Sequence, residues 1–402
     1  MKFDLLYTIL LILEAVAFSY FFIATLYFTI FSIAGLFPYR RNDQKTGFKR
    51  RFVVFLPGYK EDNVIVNVAK QALEQDYPQN LFDVIVIADS FQFETITALK
   101  ALPIKVIEVV FEKSSKARAL NKAMSKITEQ YDAVVILDAD NLMAPNFLTL
   151  INEALSQGYI AVQGHRKAKN RNTSLAVLDA VSEEINNHIF RKGHRVLGLS
   201  SALIGSGMGF NYTSFKNYMM DIDSFGEDKE LEIKLLRDNI TIEYCENAIV
   251  FDEKVQKSKT FVTQRTRWLA NQFLYAKQNF GSAIIQLFKY HNIDFFDKIF
   301  QQLLPPRIFL IGFLVIITIL SSVFQMNFFG WLWISVTSLC VFSLLISIPK
   351  QLYNLDTLKA VFLLPQGFFI MFISLFRIYK AKKGFGHTVH TANTHPVIQS
   401  DK

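Results

Sequence analysis

The chain has 402 residues, 51% of them hydrophobic, 14% aromatic and only 19% charged. Hydrophobicity this high excludes a disordered chain, and the two cysteines, Cys245 and Cys340, lie too far apart in sequence for a disulfide scaffold. The net charge of +8 fits nucleic acid, an anionic membrane surface or an anionic substrate, and its location decides between them.

The first element is an apolar run from Leu5 to Leu36 in which Glu14 is the only charge. About 20 residues span a bilayer, so the run predicts one long helix, or a spanning helix with an interfacial turn. A cleaved signal peptide has a shorter apolar core and a small-residue cleavage site, which favours an uncleaved anchor over residues 1–38. Arg40, Arg41, Lys45, Lys49, Arg50 and Arg51 follow in a juxtamembrane segment, 39–51. Lys and Arg beside a span mark the cytoplasmic side, which puts the next domain in the cytoplasm and suits unpaired cysteines. Sequons at Asn172 and Asn211 would then stay unmodified.

Between 52 and 280 the composition becomes that of an ordinary folded domain. Valine- and isoleucine-rich runs at Phe52–Leu56, Val84–Ala88, Ile104–Val110 and Val134–Leu137 predict buried parallel strands. Helical patterns at Asp62–Gln75, Lys116–Glu129 and Pro145–Gln157 alternate with them. That alternation predicts an α/β domain with a mostly parallel sheet. Over 281–303, Ile285, Phe288, Phe296, Phe300 and Leu303 recur near helical spacing, with Lys289, Asp294 and Lys298 between them. This predicts an amphipathic helix along the membrane, with a core helix of the domain as the alternative. Apolar runs at about Leu304–Phe324, Phe328–Ile348 and Leu358–Phe376 predict C-terminal spans over 304–378, the first opened by Pro305, Pro306 and Arg307. A basic tail, 379–402, completes the chain.

The charge is concentrated at the membrane borders. Residues 39–51 hold six basic groups against one acid, and 377–402 hold five against one. The rest is close to neutral, which excludes a nucleic-acid surface. Four full spans would put the tail on the far side with Arg377, Lys380, Lys382 and Lys383, against the charge rule. Either one run is not a full span or the tail breaks the rule. His387, His390 and His395 lack an accompanying Cys or acidic cluster, so a solvated tail is favoured over a metal site.

Carboxylates carry the candidate chemistry. Asp138-Ala139-Asp140 ends a strand, and ligands of open α/β sheets bind beyond the carboxyl ends of strands. Two acids with one spacer can face one divalent ion, such as Mg²⁺ held by one or two carboxylates and substrate phosphates. The bland alternative is capping of the next helix. Asp89 ends an earlier strand and converges on the same edge. Gly226-Glu227-Asp228 opens a helix, where acids are favoured by the dipole; the sharper alternative is a general base that takes a proton from an attacking hydroxyl. In Gln264-Arg265-Thr266-Arg267-Trp268, arginine offers a fork to a diphosphate and tryptophan an apolar face to a sugar. A basic, aromatic turn at the membrane surface is the alternative. Gly205, Gly207 and Gly209 are misplaced for a dinucleotide fingerprint, which follows a first strand.

These motifs, in this order and between these apolar runs, resemble membrane-bound family 2 glycosyltransferases of the cellulose, hyaluronan and poly-N-acetylglucosamine synthase type. The resemblance covers about Phe52 to Leu274. Pro57-Gly58-Tyr59-Lys60-Glu61 is similar to the family's P-x-Y-N-E, with lysine in place of asparagine. Ala88-Asp89-Ser90 is similar to its nucleotide-binding aspartate segment, and Lys116 to Asn121 to its K-A-x-x-L-N. Asp138-Ala139-Asp140 resembles the metal-binding D-x-D. Gly226-Glu227-Asp228 stands where the family has T-E-D, and Gln264, Arg267 and Trp268 fit Q-x-x-R-W.

The resemblance implies a GT-A-type nucleotide-sugar-binding domain flanked by transmembrane helices, in a bacterial inner membrane. It implies a nucleotide-sugar donor held by Glu61, Asp89, Lys116 and Asp138. Mg²⁺ or Mn²⁺ would sit on Asp138 and Asp140, and Asp228 would be the catalytic base. Gln264, Arg267 and Trp268 would hold the acceptor and the diphosphate, and the glycine loop at 205–209 would run under the acceptor sugar, a plain turn being the alternative. The implied reaction is a single inverting displacement giving β linkages. The acceptor is a growing glycan or a lipid-linked one, and a second copy or an accessory export subunit would complete a polymer channel. Single-sugar transfer to a membrane lipid is the runner-up, and an inactive scaffold or transporter the reading from another class.

Overall fold

The computed structural model describes residues 2–39, 47–224, 226–254, 256, 258–324 and 328–381. Arg40, Arg41, Lys45, Lys382, Lys383 and the histidines 387, 390 and 395 lie outside the described residues.

Helix α1 (Lys2–Ala34) opens the chain. The α/β domain begins with β1 (Phe52–Tyr59), α2 (Ile65–Ala72), β2 (Phe82–Asp89), α3 (Phe93–Lys100), β3 (Lys105–Val109), α4 (Lys116–Lys126) and β4 (Ala133–Ile136). It continues with β5 (Leu142–Met143), α5 (Phe147–Ser156), β6 (Ala161–Ala168) and α6 (Ser174–Asn186). A π-helical turn (Asn187–Gly193) then leads into α7 (His194–Val196). β7 (Met208–Asn211), α8 (Tyr212–Met219), α9 (Glu227–Arg237) and β8 (Ile242–Asp252) complete the sheet. The remaining helices are α10 (Ser258–Tyr290), α11 (Ile293–Leu303), α12 (Arg307–Phe324), α13 (Phe328–Ile346), α14 (Leu355–Val361) and α15 (Leu364–Ala381).

The eight strands form one sheet in the order β3-β2-β1-β4-β7-β6-β8-β5. β1, β2, β3 and β4 run parallel, β7 is antiparallel to both neighbours, and β6 pairs parallel with β8. Both faces are covered. Val53, Phe55, Val134 and Ile136 pack in one buried cluster, while Phe52, Val54, Leu56 and Val135 pack in another. Alternate residues therefore enter opposite cores, which is why these strands read as continuous apolar runs. Parallel order puts the carboxyl ends of β1, β2 and β4 on one edge.

The segment predicted as one amphipathic helix over 281–303 is divided between the end of α10 and α11. The segment is broken at His291 (φ 54°) and Asn292, whose side chain caps α11 by accepting from Phe295 N. Phe295 and Ile299 are fully buried in the domain core, and Lys298 pairs with Glu232 of α9 at 3.3 Å. α11 is thus a core helix over its inner face, because its charges find buried partners.

The C-terminal runs also differ from four plain spans. Residues Thr8–Ala34 of α1 are long and apolar enough to cross a membrane alone. α11 with α12, and α14 with α15, reach that length only as pairs bent by 55° and 43°. Pro305 and Pro306 separate the first pair. In the second, Asp356 and Lys359 sit on α14 and Pro365 opens α15; a proline without an N–H cannot continue the preceding helix. Gly312 of α12 sits where a Cβ would meet Phe368 of α15 at 2.3 Å, so these two helices touch closely.

α1 is joined to the domain through its interior. His194 is fully buried, stacked on Phe31 with ring centroids 3.7 Å apart, and within 2.9 Å of Tyr27 Oη. Tyr27 donates to Asp297 of α11 at 2.7 Å. A Cβ on Gly193 would meet the carbonyl oxygen of Phe31 at 2.3 Å, and one on Gly35 would meet His188 at 2.5 Å. Tyr39 donates to Glu243 at 2.8 Å, and Arg195 pairs with the same buried carboxylate at 3.1 Å.

Candidate active site

β1 and β2 end side by side, Tyr59 opposite Asp89. Each strand then turns through a left-handed residue, Lys60 (φ 55°) and Ser90 (φ 59°), and Lys60 N donates to Asp89 O at 3.1 Å. Lys60 occupies the place where the resembled motif has asparagine, a residue that tolerates this conformation more readily. Glu61 and Asp89 are both buried behind these turns, and Ser90 Oγ donates to Asp89 at 2.9 Å.

Asp138 follows β4. Its N–H donates to Ser206 Oγ at 2.9 Å, and Ser206 in turn donates to Asn141. The segment 205–207 thereby props the acidic motif. Gly205 and Gly207 have φ of 84° and 64°, which glycine adopts without strain. Gly207 N bonds to Ile136 O at 2.9 Å, and a Cβ there would meet Val250 at 3.1 Å. Asp140 is buried, and Glu253 N–H donates to its Oδ2 at 3.0 Å.

Lys116, the first residue of α4, joins these parts. Its ammonium donates to Asp138 Oδ1 and to Gly205 O at 2.6 Å, and lies 3.8 Å from Glu227 Oε1. Burial opposes its charge, yet Asp138, Glu227 and Asp228 outweigh burial and raise its pKa. Asp228 is the second residue of α9, and its Oδ2 lies 3.7 Å from where a Cβ on Gly205 would stand. The structure therefore brings Asp138, Lys116, Gly205, Glu227 and Asp228 into one cluster.

In the sequence Glu227 has a place at the start of a helix but no separate role. It is buried, and burial pushes its carboxyl up to about 7, with Lys116 opposing and Asp228 adding to the rise. Gly226, which stands in place of the motif's threonine, has a tertiary reason. A Cβ there would lie 3.0 Å from both Asn271 Nδ2 and Tyr275 Oη of α10. Tyr275 Oη donates to Gly226 O at 3.1 Å.

α10 carries Gln264, Arg267 and Trp268. The side chains of Gln264 and Arg267 lie outside the described residues. Trp268 is 40% exposed, with the Arg265 guanidinium 4.3 Å from its ring centroid, and Arg265 pairs with Asp179 of α6 at 2.6 Å.

Behind Asp140 lies a buried ionic network. Glu183 of α6 pairs with Arg166 at 2.8 Å and Arg191 at 3.2 Å, and Lys254 pairs with Asp252 at 2.9 Å. Burial raises the Glu183 carboxyl, but Arg166, Lys254 and Arg191 overcome it and hold it well below the usual range. Among the described residues, no group of three or more His, Cys, Asp or Glu side chains could hold a metal unaided. Asp138 and Asp140 supply two hard carboxylates, a set that fits a divalent ion completing its shell on substrate phosphates.

The sequence profile described as glycosyltransferase like family 2 matches residues 50–271. The probable glycosyltransferase YdaM of Bacillus subtilis (strain 168) is 24% identical over 350 residues, covering 82% of this chain and 79% of that protein. The solved mannosyltransferase PcManGT from Pyrobaculum calidifontis, in complex with GDP-Man and Mn²⁺, is similar with a TM-score of 0.55 at 16% identity. It covers 92% of this chain and 99% of its own. At that identity the likeness is one of fold. Glucosyl-3-phosphoglycerate synthase from Mycobacterium tuberculosis, solved with Mn²⁺ and UDP, also matches, with a TM-score of 0.37 at 16% identity over 53% of this chain and 79% of its own.

Proposed function

The chain belongs to glycosyltransferase-like family 2, and from that premise we propose that it extends a polysaccharide at a bacterial inner membrane. A family 2 glycosyltransferase with a GT-A-like fold uses a nucleotide-sugar donor. The finer reading is an inverting transfer, on the cytoplasmic side, to a growing glycan. The observation that carries it is the meeting of Asp138, Lys116, Gly205 and Asp228 at one sheet edge.

In this reading Glu61 and Asp89 hold the nucleoside at the ends of β1 and β2. Asp138 and Asp140 hold Mg²⁺ or Mn²⁺, which when bound neutralises charge developing on the leaving diphosphate. Lys116 adds a buried positive charge beside Asp138 for the same oxygens. Asp228 takes the proton from an acceptor hydroxyl as that oxygen bonds to the anomeric carbon and the bond to the diphosphate breaks. Attack from the face opposite the leaving group turns an α-linked donor into a β-linked product. Gln264, Arg267 and Trp268 position the acceptor end and grip the diphosphate.

One observation favours the runner-up, transfer of a single sugar to a lipid. The bundle of α1, α12 and α13 is filled by side chains, with Trp333 wedged against Phe18 and Phe21 and Cys340 and Leu314 buried beside it. A filled bundle leaves polymer passage to a second copy or an export subunit. The test is turnover of labelled UDP-glucose, UDP-N-acetylglucosamine, UDP-glucuronate and GDP-mannose by membranes, with product sizing. A polymer supports the synthase reading, one glycolipid selects the runner-up, and no transfer from any donor overturns both.

A further inference from the structure

α4 reaches two places at once. Lys116 stands in the candidate site, while Arg118 and Asn121, within the next turn and a half, hold a different segment. Arg118 donates from Nε to Asp223 Oδ1 at 2.5 Å and from Nη2 to Oδ2 at 2.6 Å. Its Nη1 is tied back to Lys113 O at 3.0 Å, which fixes the plane of the fork. Asn121 uses both amide hydrogens on main chain, Nδ2 donating to Met219 O at 2.9 Å and Ile222 O at 3.1 Å. These acceptors lie at the end of α8 and in the loop that leads to Gly226, Glu227 and Asp228.

The loop's other support is apolar, at Met219 and Ile222 in the domain core. Met219 and Ile222 are buried, Met220 is 65% exposed, and a shallow, open groove between α4 and the loop is lined in part by Phe111, Lys122 and Met220. Among the described residues, the side-chain ties of residues 223, 224 and 226 to other elements come from Arg118 on one side and Tyr275 on the other.

We propose that Arg118 and Asn121 are positioning residues for sugar transfer: they clamp residues 219–224 to α4 and so hold the Asp228 carboxylate in register with Lys116. The inference rests on the reading of Asp228 as the base. One helix then sets the spacing between the donor-side cation and the acceptor-side carboxylate. Exposed ion pairs contribute little to stability, although two-pronged arginine–carboxylate pairs are geometrically strict. A base displaced by about 1 Å costs roughly a hundredfold in rate. Rate and stability should therefore separate.

The test uses the full-length protein in membranes. Arg118→Leu is expected to lower kcat by roughly tenfold to a hundredfold, with UDP and GDP affinity and the thermal midpoint near those of the parent; Asn121→Asp, which sets a carboxylate against two carbonyl oxygens, should lower kcat and the midpoint together. Arg118→Lys keeps the charge without the fork and should fall between. Exchanging the pair, Arg118→Asp with Asp223→Arg, should restore most of the loss of Arg118→Leu. Parental kcat in Arg118→Leu and Asn121→Asp overturns the proposal, as does nucleotide affinity that falls in step with kcat, or an exchanged pair no better than Arg118→Leu. Asp228→Asn is measured alongside. If it keeps parental kcat, the base assignment fails, whatever the loop variants do. If it is inactive while Arg118→Leu keeps parental kcat, the clamp fails and the base stands.

Discussion

The ammonium of Lys116 lies 3.8 Å from Glu227 Oε1 while donating to Asp138, so one cation bridges the acid that ends β4 and the acid that opens α9. In the proposed reading, the donor side and the acceptor side of the site are thereby linked by a single side chain.

Removing that cation should weaken nucleotide binding first. Lys116→Met leaves Asp138 and Glu227 facing each other without a counter-charge. A hydrogen bond to a charged group contributes about 1.5–3 kcal/mol, so nucleoside diphosphate affinity should fall roughly tenfold to a hundredfold. Calorimetric titration with UDP and GDP measures it, and an unchanged dissociation constant would exclude a diphosphate role for Lys116.

Glu227 should make the apo protein less stable at higher pH. Its carboxyl is raised from 4.5 to about 7, chiefly by burial. The native chain therefore binds the extra proton between those values. The contribution is fully present below the unfolded pKa and lost as pH rises through the folded one, on the order of 3 kcal/mol in all. Denaturation in EDTA should show stability declining between about pH 5 and 8, and Glu227→Gln should flatten that slope. A parental slope in the variant would refute the assignment.

Gly226→Ala should be harmful although its backbone does not require glycine (φ −128°). The new Cβ would crowd Asn271 and Tyr275 at 3.0 Å. Overpacking costs about 1–3 kcal/mol, seen as a lower thermal midpoint and lower kcat. Tyr275→Phe in the same chain removes one of the two contacts and should recover part of the loss. Equal damage with and without Tyr275→Phe would place the cause elsewhere.

Glu232 is fully buried and faces Lys298 at 3.3 Å, Lys229 at 3.1 Å and the N–H of Leu203 at 2.9 Å. Burial raises its carboxyl, but Lys229 and Lys298 outweigh burial and lower it. Its stabilisation is present above the ordinary carboxylate range and disappears as pH falls through the depressed value. Glu232→Ala should cost about 3–5 kcal/mol, since it strands a buried Lys298. Glu232→Met with Lys298→Met should cost less, measured by chemical denaturation. A double variant as unstable as the single one would contradict the ion-pair account.

The legible part of the fold was the part buried on both faces. β1, β2 and β4 lie in the sheet between two cores and read directly as apolar runs, and the half-buried edge strand β3 keeps enough valine and isoleucine to read the same way. β6 and β8 escaped notice because Gln163, His165, Arg166 and Glu243 sit inside them, and their charges are met only by distant partners such as Glu183, Glu184 and Arg195. The same holds at the site. Asp89, Asp138 and Asp140 are visible as acids at strand ends, a local pattern. The contact of Lys116 with Gly205, the burial of Glu227 and the crowding at Gly226 exist only once α4, α9 and α10 have packed. The helix break at Pro365 was available locally, yet the long apolar run around it concealed the change of direction.

The glycine contacts between α1 and the π-helical turn give the anchor a second identity. His194 is walled on one side by Phe31, and Gly193 presses on the backbone of that same helix. A version trimmed of its first 39 residues would lack one wall of the pocket that holds the His194 imidazole and would uncover the Arg195–Glu243 pair that Tyr39 touches. The leading helix is thus a structural organ of the enzyme as much as its tether, and a water-soluble fragment cut at the domain boundary would be an injured protein rather than a released one.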